Sequence, residues 1–290
     1  MALKKLNKIT IVGVGLIGGS FAKGLKQAGL VEEIVGFGQN TTNLQKAIEL
    51  DVVDSFTTDI AEAVQDSDLV FLAVPLGAMK TVLENMKPHL SDNTIITDGG
   101  SAKSSVILSA QEVFGELPVN FVPGHPIAGK EKSGVTAADE KLYVDHRVIL
   151  TPTANTSETS LEIVQGLWSA LGANVEIMNP QQHDEIFAAT SHLPHLLAFS
   201  LVDMLNEHEE LGDVFQYTAG GFRDFTRIAS SDAVMWRDIA VYNSEAIVKW
   251  LKNYGLALEE LTKLVEEKDS DALYTLFKDA KQARDKHIVN

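Results

Sequence analysis

The feature that most constrains this chain is Gly13-Val14-Gly15-Leu16-Ile17-Gly18, a G-x-G-x-x-G turn leaving the apolar run Ile9-Thr10-Ile11-Val12 and opening a helical pattern over residues 16–28. The pattern alone is weak, but between a strand and a helix it has a mechanism. The three glycines allow a tight turn, close backbone approach to a pyrophosphate, and close packing of helix on strand. The freed N–H groups and the helix dipole then bind the anion. A ligand-free glycine-rich turn is the plainer reading, and the surrounding βαβ unit weighs against it. The same fingerprint expects an acid about 20 residues further on to hold the ribose 2′-hydroxyl. That position is Gly38, which also reads as a simple turn residue, and no Arg or Lys lies among residues 36–43 to grip a 2′-phosphate. NAD is expected to serve at least as well as NADP, which is not excluded.

Up to residue 177, β-rich runs at 8–14, 33–37, 69–74, 93–97, 120–122, 147–150 and 174–177 alternate with helical stretches such as 16–28 and 157–171. Apolar, β-branched strands alternating with helices predict a parallel sheet covered on both faces. Beyond Asn179 the pattern predicts only helices, over 181–207, 232–254, 257–267 and 269–287. A chain of 290 residues exceeds what one core usually serves. The expected architecture is an α/β dinucleotide-binding domain over residues 1–178 and an all-helical domain over 179–290, meeting near Asn179-Pro180. Leu196, Leu197, Phe199, Leu201, Val202 and Leu205 are apolar nearly all round their helix, which is expected to be buried.

A formal charge of −16 argues against nucleic acid and anionic membrane as partners, since both call for a basic face. There is no cysteine, hence no disulfide and no thiolate chemistry, which suits a cytoplasmic protein. The N-terminal apolar run breaks into glycines too early for a signal peptide, and no stretch is long and apolar enough to span a membrane.

Ligands of open α/β sheets sit beyond the carboxyl ends of the strands. Three segments follow predicted strands there: Ala73-Val74-Pro75-Leu76, residues 98–103 with Ser101, and residues 124–134 with His125 and Glu131. His125, between glycine and proline just past a strand, is a better catalytic candidate than a lone histidine usually is. Ser101 also reads as a helix N-cap. In the second half, Ser191-His192-Leu193-Pro194-His195 puts a proline in an apolar helix and two histidines three apart. No carboxylate pattern accompanies them, so no metal is expected. Arg223 and Arg227, among aromatics, read either as surface residues or as a carboxylate clamp in a cleft.

Together, GVGLIGGS at residues 13–20, DGGSAK at 98–103, GHPIAGKEKSG at 124–134, SHLPHL at 191–196 and GGFRDFTRIASSDAVMWRDI at 220–239 resemble the prephenate dehydrogenase family of tyrosine biosynthesis, over nearly the whole chain. The first block is shared with many dinucleotide enzymes; the histidine block and GGFRDFTRIA are far more specific. Many members carry an acid where Gly38 stands. The chain ends after the helical half, so neither a C-terminal ACT domain nor an N-terminal chorismate mutase segment is expected.

The resemblance implies oxidative decarboxylation of prephenate to 4-hydroxyphenylpyruvate. The ring would lose a hydride to the nicotinamide and its carboxylate as CO2, while a base takes the hydroxyl proton. It implies that His125 is that base, Ser101 its hydrogen-bonding neighbour at the same hydroxyl, and Arg227 the carboxylate-binding residue. It places His195 near the substrate side chain, Glu131 and Asp224 as acids paired around the arginine, and His183 and Trp236 on the site lining. Gly13, Val14, Gly15, Leu16, Ile17, Gly18, Val74 and Pro75 would hold the cofactor, and the helical half would form a homodimer. Arogenate dehydrogenase, another β-hydroxyacid-type dehydrogenase and a non-catalytic dinucleotide sensor are the alternatives; a sensor has no use for His125, Ser101 and Arg227 together.

Overall fold

The computed structural model describes residues 5–129, 132–208, 210 and 212–288. Its first sheet has six parallel strands in the order β3-β2-β1-β4-β5-β6. They are β1 (Leu6–Val12), β2 (Val31–Phe37), β3 (Ser55–Thr57), β4 (Leu69–Leu72), β5 (Ile95–Asp98) and β6 (Phe121–Val122). The helices α1 (Leu16–Gln27), α2 (Thr41–Glu49), α3 (Ile60–Val64), α4 (Leu76–Met86) and α5 (Lys103–Phe114) connect them. β4 and β5 are buried at every residue, as strands covered on both faces must be. The strand order reverses between β1 and β4, which opens a crevice at their carboxyl ends.

The runs at 147–150 and 174–177 do not extend this sheet, as the alternation predicted. They are β8 (Arg147–Leu150) and β9 (Asn174–Ile177) of a separate three-stranded sheet, completed by β7 (Gly124–Pro126). β7 runs antiparallel to β8, and β9 parallel to it. The physical cause lies at Pro123, which has no N–H to continue the ladder after β6. Its carbonyl instead accepts from Thr151 N at 2.9 Å, which turns the chain onto β8. Gly124 then runs so close to β5 that a Cβ there would lie 3.1 Å from the Asp98 carbonyl oxygen. The three-residue strand β3 carried no sequence signal.

Helix α6 (Glu158–Ala170), capped by Ser157, brings Trp168 against Phe21 of α1, ring centroids 4.6 Å apart, and Phe71 of β4, 5.7 Å apart. Tyr143 packs edge-on to Trp168 and donates its hydroxyl to the Ile17 carbonyl at 2.6 Å. This aromatic core pins the start of α1, and so the glycine turn.

After β9 come α7 (Pro180–Phe187), α8 (Leu193–Asn206), α9 (Gly220–Thr226), α10 (Ala233–Tyr242), α11 (Ser244–Glu266) and α12 (Ser270–His287). The single helix expected over 181–207 is broken by a π-helical turn, Ala188–His192. Pro194 has no N–H to offer the residue 190 carbonyl, and the wider turn absorbs the missing bond. Nor is α8 buried as expected: its apolar residues, Leu193 and Ala198 apart, are only half-covered or exposed. The break expected near Gly255 falls at Asn243, whose side chain is taken up by tertiary contacts, and α11 runs through Gly255 without interruption. The chain forms two compact units, Met1–Ser244 and Glu245–Asn290. In the second, Ile247 alone of α11 is buried and α12 buries no residue. Among the described residues no helix is long and apolar enough to cross a membrane.

Candidate active site

The glycine turn has the geometry its sequence implies. Gly13 takes φ +96°, and a Cβ there would lie 2.4 Å from the Ala73 carbonyl oxygen, so only glycine fits between β1 and the end of β4. A Cβ on Gly18 would lie 2.3 Å from the Gly13 oxygen and 2.8 Å from Ile11, the close helix-strand approach. Gly15, the N-cap of α1, faces open space. No acid occupies the first turn of α1 to repel an anion. Val74 lies against Gly13, Pro75 caps α4, and Leu16 and Ile17 pack on the core that holds the turn still. These residues suit a dinucleotide. Beyond β2, a cavity of about 790 Å³ is lined by Asn40, Thr41, Thr42, Lys46, Phe56 and Val135 among others. Lys46 lies just beyond residues 36–43, and its ammonium pairs with Glu49 at 2.8 Å. Gly38 stands just after β2, where the fingerprint expects an acid, and Glu49 is the acid that lines the cavity.

At the same sheet edge, beyond β5 and β6, lies a polar cluster. His125, on β7, is half-buried, and its Nδ1 is 2.8 Å from Nε2 of His183. The His183 ring is fully buried between His125 and Asp184, whose Oδ1 is 2.8 Å from His183 Nδ1. Both nitrogens of His183 are thus engaged, so it meets His125 and not the open cleft expected of a substrate-binding residue. Asp184 also accepts from the backbone N–H groups of Lys103, at 2.7 Å, and Ser104, at 2.8 Å. The N-cap of α5 is Ala102, which offers no capping side chain. Asp184 therefore caps this helix from a distant part of the chain, and Ser101 does not. Ser101 stays in the β5–α5 loop, half-buried.

Lys103 is fully buried; its ammonium pairs with Asp98 and donates to the Gly124 carbonyl at 2.6 Å. The other Asp98 oxygen accepts from Gly124 N at 3.1 Å. Asp98 and Lys103 thus tie the β5–α5 loop to the strand bearing His125.

Burial, followed by the charges of His183, Lys103 and His192, holds His125 well below the usual histidine range, so it is neutral near pH 7. Burial likewise lowers His183, with Lys103 adding to it and the Asp184 hydrogen bond opposing. For Asp184, burial pushes upward, but hydrogen bonds from His183, Ser104 and the α5 backbone outweigh it and hold the carboxyl low.

The C-terminal motif residues lie nearby in the fold. His195 stacks on Trp236, ring centroids 3.8 Å apart, and its Nδ1 donates to the Ser191 carbonyl at 2.8 Å. Burial lowers the His195 pKa, and the positive charge of Arg227 contributes. Arg227 and Asp224 are exposed, on the turn after α9 and on α9 itself. Trp236 is buried, and its indole N–H has no hydrogen-bond partner among the described residues. His192 accepts at Nδ1 from Asn243 Nδ2 at 3.1 Å, and that amide also donates to the Asp184 carbonyl at 2.9 Å. Glu131 lies outside the described residues. Asp184, Asn243 and the burial of Lys103 carried no sequence signal, because each is defined by contacts across distant segments.

A dinucleotide turn and a neutral, half-buried imidazole at one sheet edge are the arrangement of a nucleotide-dependent dehydrogenase. The comparisons with known proteins agree. Residues 21–177 match the model of the prephenate dehydrogenase nucleotide-binding domain, and residues 179–279 that of the prephenate dehydrogenase dimerization domain. The chain is 37% identical to a cyclohexadienyl dehydrogenase of Zymomonas mobilis, over 95% of this chain and 94% of that one. It is similar to the crystal structure of Aquifex aeolicus prephenate dehydrogenase in complex with hydroxyphenyl propionate and NAD+, at 38% identity and TM-score 0.92, over 99% of both chains. It also resembles a Synechocystis arogenate dehydrogenase, at 30% identity and TM-score 0.81, over 97% of this chain and 100% of that one. The chain belongs to the prephenate dehydrogenase family.

Proposed function

We propose that this chain oxidatively decarboxylates prephenate to 4-hydroxyphenylpyruvate in tyrosine biosynthesis, using NAD, and that it works as a cytoplasmic homodimer. The reading divides it into a nucleotide-binding domain over residues 1–178 and a substrate and dimerisation domain over 179–290. The observation that carries it is His125, a neutral imidazole at the sheet edge that holds the dinucleotide turn. The similar Aquifex aeolicus enzyme adds support, because its ligands are NAD+ and an aromatic ring with a carboxylate side chain.

Gly13, Val14, Gly15, Leu16, Ile17 and Gly18 would hold the pyrophosphate, with Val74 and Pro75 beside it. Bound there, the nicotinamide supplies the hydride acceptor. His125 takes the proton of the ring hydroxyl as that carbon becomes carbonyl-like, and a neutral imidazole at physiological pH is ready to do so. Ser101 hydrogen-bonds the same hydroxyl. Arg227 binds a substrate carboxylate, and Asp224 and Glu131 balance its charge. Trp236, its indole N–H unpartnered among the described residues, and His195 stacked upon it line the side-chain end of the site. An ammonium on the side chain would call for an acid there, and the SHLPHL segment offers none, so prephenate is preferred over arogenate.

The test is kcat/KM of the purified protein for prephenate and arogenate with NAD and NADP, alongside His125→Asn. Prephenate with NAD should be the best pair, and the variant should lose about 10²–10⁴-fold in kcat with cofactor binding intact. Faster turnover of arogenate, or an NADP preference above about tenfold, roughly 1.4 kcal/mol, would contradict the substrate or cofactor assignment. A variant with normal kcat would remove His125 from the chemistry.

A further inference from the structure

We propose that Asp184 and His183 are positioning residues for His125: they fix its tautomer so that Nδ1 carries the proton and Nε2 presents the lone pair, and they stabilise the charge formed when Nε2 takes a proton. The inference rests on the reading of His125 as the base, and it adds two residues of α7 to the reaction.

The argument is an inventory of donors and acceptors, begun at the carboxylate. Asp184 sits at the start of α5, a twelve-residue helix, where the backbone N–H groups of Lys103 and Ser104 both point at it, at 2.7 and 2.8 Å. Two fixed donors and a helix N-terminus keep the carboxyl ionised, so it can only accept. His183 Nδ1, 2.8 Å away, must therefore carry a hydrogen. A neutral imidazole has one N–H, which leaves His183 Nε2 bare. That bare nitrogen faces His125 Nδ1 at 2.8 Å, so the hydrogen between them belongs to His125. The remaining nitrogen of a neutral His125, Nε2, is then the acceptor.

Alternative protonation patterns meet the surrounding groups. Lys103 of α5 and His192 of the π-helical turn both disfavour extra positive charge on His125, and Asp98 of β5 is already paired with Lys103. Phe187 of α7 packs against both imidazoles, ring centroids 5.1 Å from His125 and 4.6 Å from His183. The anion available to a protonated His125 is Asp184, reached through His183. A carboxylate held by backbone donors keeps its charge while the proton rests on the imidazole, so it stabilises the cation without becoming protonated itself.

Three measurements on the full-length protein test this. In the wild type with NAD+ bound, ¹⁵N NMR should show His125 Nε2 as the unprotonated nitrogen; a protonated Nε2 in the neutral ring overturns the proposal. Asp184→Asn removes the negative charge and leaves one accepting oxygen where the α5 N–H groups and His183 all donate, so neither the His125 tautomer nor its cation keeps its support. It should lower kcat by about 10²–10⁴-fold with KM unchanged, and shift the acid limb of kcat/KM to lower pH because the cation has lost its anion. In a His125→Asn background the same change should cost nothing more in kcat. An unchanged kcat and acid limb in Asp184→Asn overturn the proposal. The His183 variants leave the cap on α5 in place and decide the question if Asp184→Asn does not fold. His183→Gln, whose amide oxygen can accept from His125 Nδ1–H, should retain more activity than His183→Leu; equal losses count against the proposal. If His125→Asn keeps its kcat, the proposed base is wrong, whereas activity lost in that variant but kept in Asp184→Asn removes the positioning role alone.

Discussion

At the residue scale, the proposed chemistry rests on charges whose surroundings differ sharply. Lys103 is fully buried and locked to Asp98, so its role is to hold the loop. Arg227 is exposed, which suits a group that meets an incoming carboxylate. Arg227→Ala should raise KM by about 10- to 100-fold, because a hydrogen bond to a charged group is worth about 1.5–3 kcal/mol. Arg227→Lys should recover little of this, since an ammonium lacks the planar fork. Steady-state kinetics check it; an unchanged KM in the alanine variant would transfer the role to Arg223. The motif residues were legible as residues in sequence, yet their environments were not. Asp184 reads as an ordinary helical acid beside His183, and Lys103 as an ordinary surface lysine, because neither neighbour sequence nor periodicity records a contact 81 positions away.

At the element scale, α7, the π-helical turn and α8 collect three histidines against β7 and α10, and the turn exists because Pro194 cannot donate. Asn243 at the end of α10 fastens this layer through Asp184 and His192. Gly77, in the first turn of α4, donates its N–H to Asp238 of α10 at 2.9 Å, so the helix beside the dinucleotide turn is also tied to this layer. Burial pushes His192 down to about 4, and His125 and His183 are lowered as well. Well above pH 6.5 these groups are neutral whether the chain is folded or unfolded, and the stability is complete. As the pH falls below 6.5 the unfolded chain takes up protons that the folded chain refuses, so stability is lost, for His192 down to about pH 4. Each such histidine contributes a slope of about 1.4 kcal/mol per pH unit. Urea unfolding at fixed protein concentration should show the midpoint falling steeply between pH 6.5 and 4.5, and less steeply in His192→Gln. A midpoint flat across that range in the wild type would contradict the burial of neutral histidines.

At the scale of the whole molecule, the helical half leaves much apolar surface uncovered. Met204 of α8, Val241 of α10, Leu256 and Val265 of α11, and Tyr274 and Phe277 of α12 are all exposed. Exposed apolar side chains in this number call for a covering partner, and obligate homodimer interfaces resemble a core cut in half. The family match over residues 179–279 is to a dimerization domain, so a second copy of this chain is the partner it implies. Sedimentation equilibrium at micromolar concentration should give twice the mass of 31.5 kDa. A monomer under those conditions would contradict the dimer.

What the sequence determined by itself was local and periodic. Gly13 and Gly18 dictated the turn because a Cβ at either would strike neighbouring backbone, and Gly13 also takes a positive φ; short continuous apolar runs marked the strands because burial on both faces leaves that pattern. The long apolar run around Leu196–Leu205 signalled a covered helix, but sequence could not say whether the cover was this chain or a second copy. The tertiary structure decided what depends on through-space neighbours. It moved β8 and β9 into their own sheet, because a proline without an N–H ended the ladder at Pro123. It turned His183 from a candidate lining residue into the partner of His125, because Asp184 was needed at the start of a helix that lacked a cap. Hydrogen-bond donors and acceptors in a buried site must be matched one for one, and that matching is a property of positions in space that spacing along the chain does not contain.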